Sequence, residues 1–135
     1  MRVAAGESGY GGPLEGRSIT ALEIEFAALG DPGQKRRNRF YLREPLPYGE
    51  MGALAGEYSD LHSSEPSAAE AHQRLEALKH RLTGEFPGRV RRYRAGWDKD
   101  CGVVTGLEAW GRMVIEDLWA DLEEETREYV HAALT

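Results

Sequence analysis

Cysteine is nearly absent: Cys101 is the only one in 135 residues, so no internal disulfide forms. That points to a reducing compartment, the cytoplasm first and the nucleus as the alternative. Long apolar runs are missing too. None approaches the roughly 20 residues that a membrane-spanning helix needs, which excludes a membrane protein. The opening residues Met1 to Gly6 are too short and glycine-containing for a secretion signal. Cationic charge is scarce, with 17 Lys and Arg against 23 Asp and Glu, a net charge of −6. This balance disfavours non-specific nucleic-acid binding. No G-x-x-x-x-G-K-[ST] and no full G-x-G-x-x-G occurs, so the phosphate-loop and dinucleotide fingerprints fail. His62, His72, His80 and His131 lack cysteine or carboxylate partners at ligand spacing, and Cys101 has no C-x-x-C partner. Ser8 and Ser18 have no evident His–Asp partners. The sequence thus offers neither a metal site nor a nucleophilic triad.

What is present suits a single globular domain over residues 1–135, with 41% apolar and 30% charged residues. A glycine-rich turn (Gly9, Gly11, Gly12, Gly16) follows the short apolar run Val3 to Ala5 and feeds a helix from Ser18. Ile19, Leu22, Phe26 and Leu29 recur on one helical face. Strand, glycine turn and helix start are where α/β proteins keep a ligand. Gly9, Gly11 and Ser18 are therefore candidate ligand-binding residues, admitting phosphate to a helix N-terminus. The competing reading is a plain surface turn. Thr20-x-x-Glu23 reads as a capping box, with Ile19 and Ile24 as its hydrophobic staple.

Gly30, Pro32 and Gly33 stop that helix. Asn38 to Arg43 places Phe40, Tyr41 and Leu42 in a row, a short strand buried on both faces as parallel sheets require. Tyr48 to Ser63 has no clean period and reads as a loop, with one helical turn around Gly52 to Tyr58. From Ser64 a helix begins, with Ala68, Ala71, Leu75, Leu78 and Leu82 at 3-4 spacing; Gly84 and Pro87 close it. Arg89 to Arg94 is the third candidate strand, and the stretch holding Trp97 to Cys101 reads as irregular. Thr105 and Glu108 form a second capping box opening the last helix. Leu107, Trp110, Met113, Val114, Leu118 and Leu122 form its broad apolar face. Residues 123–135 continue as a helical connector or docking stripe.

The resulting β-α-β-α-β-α order predicts an α/β fold with a parallel sheet of about three strands and flanking helices, joined by right-handed crossovers. Doubly wound domains have five or six strands, so the pattern predicts a partial flavodoxin-like domain lacking its first strand–helix pairs. Charge is uneven. Lys35, Arg36, Arg37 and Arg39 form one basic cluster, Arg89, Arg91, Arg92 and Arg94 another, and Glu116 to Glu128 is strongly acidic. The second cluster is a candidate nucleic-acid contact, although alternate strand residues point to opposite faces and the acidic helix offers an internal partner.

Several runs together resemble a known family: GRSITALEIE (Gly16 to Glu25), FYLREP (Phe40 to Pro45), SSEPSAAEAHQRLEALKHRL (Ser63 to Leu82), RRYR (Arg91 to Arg94) and GLEAWGRMVIEDLWADLEEE (Gly106 to Glu125). The chain is similar to the TIR-like domain that precedes the NACHT ATPase in telomerase protein component 1 and related NACHT–WD-repeat proteins, along nearly its whole length. Relative to the family, the first two strand–helix pairs have no counterpart, and the glycine turn lacks the family's arginine. The resemblance implies a non-catalytic interaction or regulatory fragment of a signalling or ribonucleoprotein scaffold. Its partners would be other proteins or the parent's own NACHT and WD-repeat domains, with RNA in the parent complex and no cofactor bound by this chain. It also implies an enzymatic alternative. Glu23 matches the place of the glutamate that contacts the nicotinamide ribose in NAD-cleaving TIR domains, making it a candidate catalytic residue with NAD as substrate. A carboxylate there would stabilise an oxocarbenium-like centre. A second alternative is an RNA-associated module using Arg89 to Arg94.

Overall fold

The computed structural model describes residues 19–29 and 37–134. Among the described residues the fold is mixed α/β with two small two-stranded sheets. It divides into two compact units, one of residues 1–40 and 73–91, the other of 41–72 and 92–135.

In the first unit, α1 (Ile19–Glu23) passes directly into a π-helical stretch, Ile24–Leu29. The wider i→i+5 turn brings residues four and five apart onto one face, so Ile24, Ala28 and Leu29 all meet the core. This differs from the expected 3.6-period face, on which Ile24 has no place. Since Ile19 is already helical, Thr20 lies inside the helix rather than at its cap, and the first capping box is corrected accordingly. Phe40, Leu78, Leu82, Phe86 and Val90 complete this core. The Phe40 and Phe86 rings meet at 4.9 Å and 57°, a tilted geometry that aromatic quadrupoles favour. Glu25 pairs with Arg81 at 2.7 Å across the same unit.

The strand β1 (Phe40–Arg43) is half-buried at all four positions, so both faces are partly covered but neither is buried as the apolar run predicts. It pairs with β2 (Val90–Tyr93). The Phe40 amide donates to the Arg89 carbonyl and the Glu44 amide to the Tyr93 carbonyl. The register thus advances by four residues on both strands, the signature of a parallel pair. The second and third expected strands thus pair with each other in a two-stranded sheet; the first candidate strand, Val3 to Ala5, lies outside the described residues.

Before the crossover helix comes an ordered run, not an open loop. Two 3-10 turns (Tyr48–Glu50 and Gly52–Leu54), the single turn α2 (Ala55–Tyr58) and a further 3-10 turn (Asp60–His62) follow one another. Met51 and Ala55 from this run, with Leu46, form the core of the second unit, covered by Tyr48, Tyr58, Ala95, Trp97 and Val104. Gly56 sits where a Cβ would meet the His62 carbonyl oxygen at 2.9 Å, so only glycine lets the turns close. The helix α3 (Ala68–Glu85) then starts later than Ser64. Ser63 Oγ accepts from the Glu65 amide and Glu65 O from the Ala68 amide, forming a separate turn first. Leu82 is buried but Leu75 is exposed, a departure from the expected five-residue apolar stripe. Gly88, with φ of +77°, reverses the chain after α3.

A hairpin absent from the sequence-based order follows β2. The strands β3 (Gly96–Asp98) and β4 (Val103–Thr105) pair antiparallel, Gly96 opposite Thr105 and Asp98 opposite Val103. Asp98 Oδ1 accepts from the amides of Asp100 and Cys101, and the Gly102 amide bonds the Asp98 carbonyl. These bonds build an Asx turn that needs Gly102 at positive φ. Thr105 is consequently a strand residue, and the last helix, α4 (Leu107–Leu134), opens after Gly106. The second capping box is therefore also corrected.

The Asp98 carboxyl is held below the usual aspartate range, chiefly by the Cys101 amide and then its thiol; slight desolvation opposes and the Asp100 amide adds. A depressed folded-state value contributes stability above the unfolded value of about 3.9 and loses it as pH falls through the folded value. Acidification should therefore loosen the hairpin turn. In an NMR titration the Asp100 and Cys101 amide shifts should move with a midpoint below the unfolded aspartate value, and Asp98→Ala should abolish that transition. A midpoint at or above the unfolded value contradicts the turn's role.

Candidate functional site

The helix α4 is 28 residues long, about 42 Å at 1.5 Å per residue. Its first half is anchored within the second unit. Trp110 stacks on Tyr93 with ring centroids 5.1 Å apart and 24° between planes, and Met113 and Val114 are half-buried. Asp117 is buried, with one oxygen accepting from the Tyr41 hydroxyl at 2.8 Å. A buried carboxylate needs such a donor, so this bond fixes which side of α4 turns inward.

Stepping about 100° per residue, Trp110, Met113 and Asp117 share one side, while Ile115, Trp119 and Leu122 fall on the opposite one with Leu118 at its edge. Leu118 is 58% exposed and Leu122 55% exposed, and after the polar run 123–128 the exposed Tyr129 and Val130 fall on the same side. The single broad apolar face expected from the sequence is divided: Trp110, Met113 and Val114 are half-buried, whereas Leu107, Leu118 and Leu122 are exposed. The helix carries two apolar sectors, and the buried Asp117 selects the one containing Trp110. Exposed large apolar residues scattered singly are ordinary, but a contiguous row with a polar border marks an interaction surface.

The border is acidic. Over residues 115–134 there are seven carboxylates, of which Asp117 is buried on the covered side, and one arginine, Arg127. Trp119 Nε1 donates to Glu123 Oε1 at 2.8 Å, tying the largest apolar side chain of the row to this border.

Gly9, Gly11 and Ser18 lie outside the described residues. Glu23 is exposed at the end of α1. Arg89 is half-buried and its Nε donates to the Asn38 carbonyl at 3.0 Å. Arg91, Arg92 and Arg94 are exposed; Arg91 and Arg92, adjacent on β2, extend to opposite faces of the strand. Cys101 is exposed at the hairpin tip. Among the described residues, no group of three or more His, Cys, Asp or Glu side chains could hold a metal ion, and no helix is long and apolar enough to cross a membrane.

A second aromatic group lies in the same unit as α4. The Tyr58 and Trp97 rings meet edge to face at 5.7 Å. Arg43 bonds the Tyr58 carbonyl through its guanidinium, whose carbon lies 5.9 Å from the Tyr58 ring centroid. These contacts hold β1, α2 and β3 to one another, which is a packing role.

Comparison of the chain with protein-family models, curated proteins and solved structures finds no match.

Proposed function

We propose that this chain is a non-catalytic protein-docking module of TIR-like, flavodoxin-type α/β descent, with the outward face of α4 as its contact surface. The observation that carries the reading is the exposed row Ile115, Leu118, Trp119, Leu122 on α4, turned away from the buried Asp117. Burying such side chains is favourable by about 1.5–3 kcal/mol each, and the chain leaves that free energy unspent. The parallel β1–α3–β2 unit supports the layered α/β descent. In a parent of the NACHT–WD-repeat type, such a module would sit ahead of the nucleotide-driven ATPase and transmit or restrain assembly.

The test is the pair Leu118→Gln/Leu122→Gln, followed by fluorescence of an apolar dye such as anilinonaphthalene sulfonate. Removing two of the central side chains should lower bound-dye fluorescence by about half, since dye collects on contiguous exposed apolar surface. The far-ultraviolet helix signal should stay unchanged. Undiminished dye binding, or loss of helix, contradicts the proposal. The same preparation incubated with NAD separates it from the hydrolase alternative: turnover that disappears on Glu23→Gln would replace the docking reading with an enzymatic one.

A further inference from the structure

We infer that the partner of this face is a basic amphipathic helix. The inference rests on the docking reading above and adds the chemistry of the occupant. The surface is a single convex helix, its apolar row repeating at 3-4 spacing from Ile115 to Leu122, with Tyr129 and Val130 two turns further on. A row of that form is matched by a second helix lying alongside, whose side chains at the same spacing interdigitate with it.

Charge decides among the helices and surfaces that could lie there. Stepping about 100° per residue, Glu116, Glu123 and Glu125 flank the row, and residues 115–125 contain no lysine or arginine. A second copy of α4 would bring two such borders together, and like charges facing across a helix pair oppose association. A lipid surface fits no better. Helices that lie on membranes carry lysine and arginine beside their apolar face, and anionic headgroups repel an acidic border. A helix with leucines at 3-4 spacing and lysines or arginines on its flanks satisfies both components at once. It covers the apolar row, and its cations meet Glu116, Glu123 and Glu125 at the rim. The bond from Trp119 Nε1 to Glu123 puts an aromatic anchor and an acidic group side by side, so one partner segment engages both.

The experiment uses the full chain and three fluorescein-labelled peptides of about 21 residues, three heptads. They share one leucine pattern and differ only in flanking residues: lysine, glutamine or glutamate. A fourth peptide has the lysine composition in scrambled order. The lysine peptide should bind about 100-fold more tightly than the glutamate peptide, with the glutamine peptide between them, because rim charges set selectivity. It should weaken as salt is raised. Scrambling, or Leu118→Gln/Leu122→Gln in the protein, should each reduce affinity at least about 10-fold, as loss of central apolar anchors does.

Equal affinity for all three patterned peptides would overturn the basic-partner inference while leaving the docking reading intact. Equal binding of the scrambled peptide would overturn it too, by showing charge attraction without a helical match. No binding of any peptide, with the native and doubly substituted chains alike, would remove both. Sedimentation of the chain alone supplies the last outcome: a dimer that Leu118→Gln/Leu122→Gln dissolves would make a second copy the occupant and refute the basic helix.

Discussion

Phe86→Ala should lower the unfolding free energy by about 3–5 kcal/mol, the range for deleting a buried aromatic ring. Phe86 is 1% exposed, the most buried large side chain described. It sits one residue past α3, where its amide still bonds the Leu82 carbonyl and its own carbonyl accepts from the Arg89 amide. The ring therefore lies at the point where helix becomes strand, facing Phe40 from β1 at 4.9 Å. Removing it leaves a cavity bordered by Ala28, Leu82 and Phe40, and truncates the aromatic pair as well. Phe86→Leu should recover much of the loss, because it restores volume without the ring geometry. Denaturant unfolding followed by far-ultraviolet dichroism measures both. A loss below about 1 kcal/mol for the alanine variant would mean that this cluster is not the core of its unit.

Trp110 should show the second large effect, with unequal losses for two substitutions. Its ring stacks on Tyr93, so Trp110→Ala should lose about 3–5 kcal/mol. Its indole nitrogen, however, is buried with no hydrogen-bond partner. An unpaired buried donor is unfavourable by about 1–3 kcal/mol. Trp110→Phe removes that donor and keeps a ring to stack on Tyr93, so the gain offsets much of the lost area. Its expected loss is under about 1.5 kcal/mol. Equal losses for the two variants would show that the indole N–H is in fact satisfied, and that shape alone holds Trp110 in place.

Legibility in the sequence followed the strength of local signals. The unit β1–α3–β2 was readable because its runs are short, well bounded by Pro45, Gly84 and Pro87, and of the right length for strand and helix. The hairpin β3–β4 was not, since three-residue strands carry no period. Its one signal was Asp98 four residues before Gly102, a turn pattern that polar neighbours disguise as loop. The run from Tyr48 to His62 hid its core residues for a related reason. Four successive single turns give Met51 and Ala55 no common spacing with Leu46, and they converge only through the tertiary fold.

Both capping boxes failed because a T-x-x-E spacing fixes no boundary on its own. Ile19 is already helical ahead of Thr20, and a strand pair claims Thr105. The candidate site was half legible. Periodicity located the apolar residues of α4, but a helix with two apolar sectors leaves open which one is covered. That choice was made by Asp117 and Tyr41, 76 positions apart in the chain, a contact that no local pattern encodes.

The central claim is that Leu118 and Leu122 lie on an uncovered face that contributes nothing to holding the fold. Denaturant unfolding of Leu118→Gln/Leu122→Gln tests it most directly, glutamine being a comparably good helix former that adds no charge. The account predicts a change within about 0.5 kcal/mol, as for exposed positions generally. A loss of about 4 kcal/mol or more, the scale of two buried leucines, would show that face to be core and contradict it.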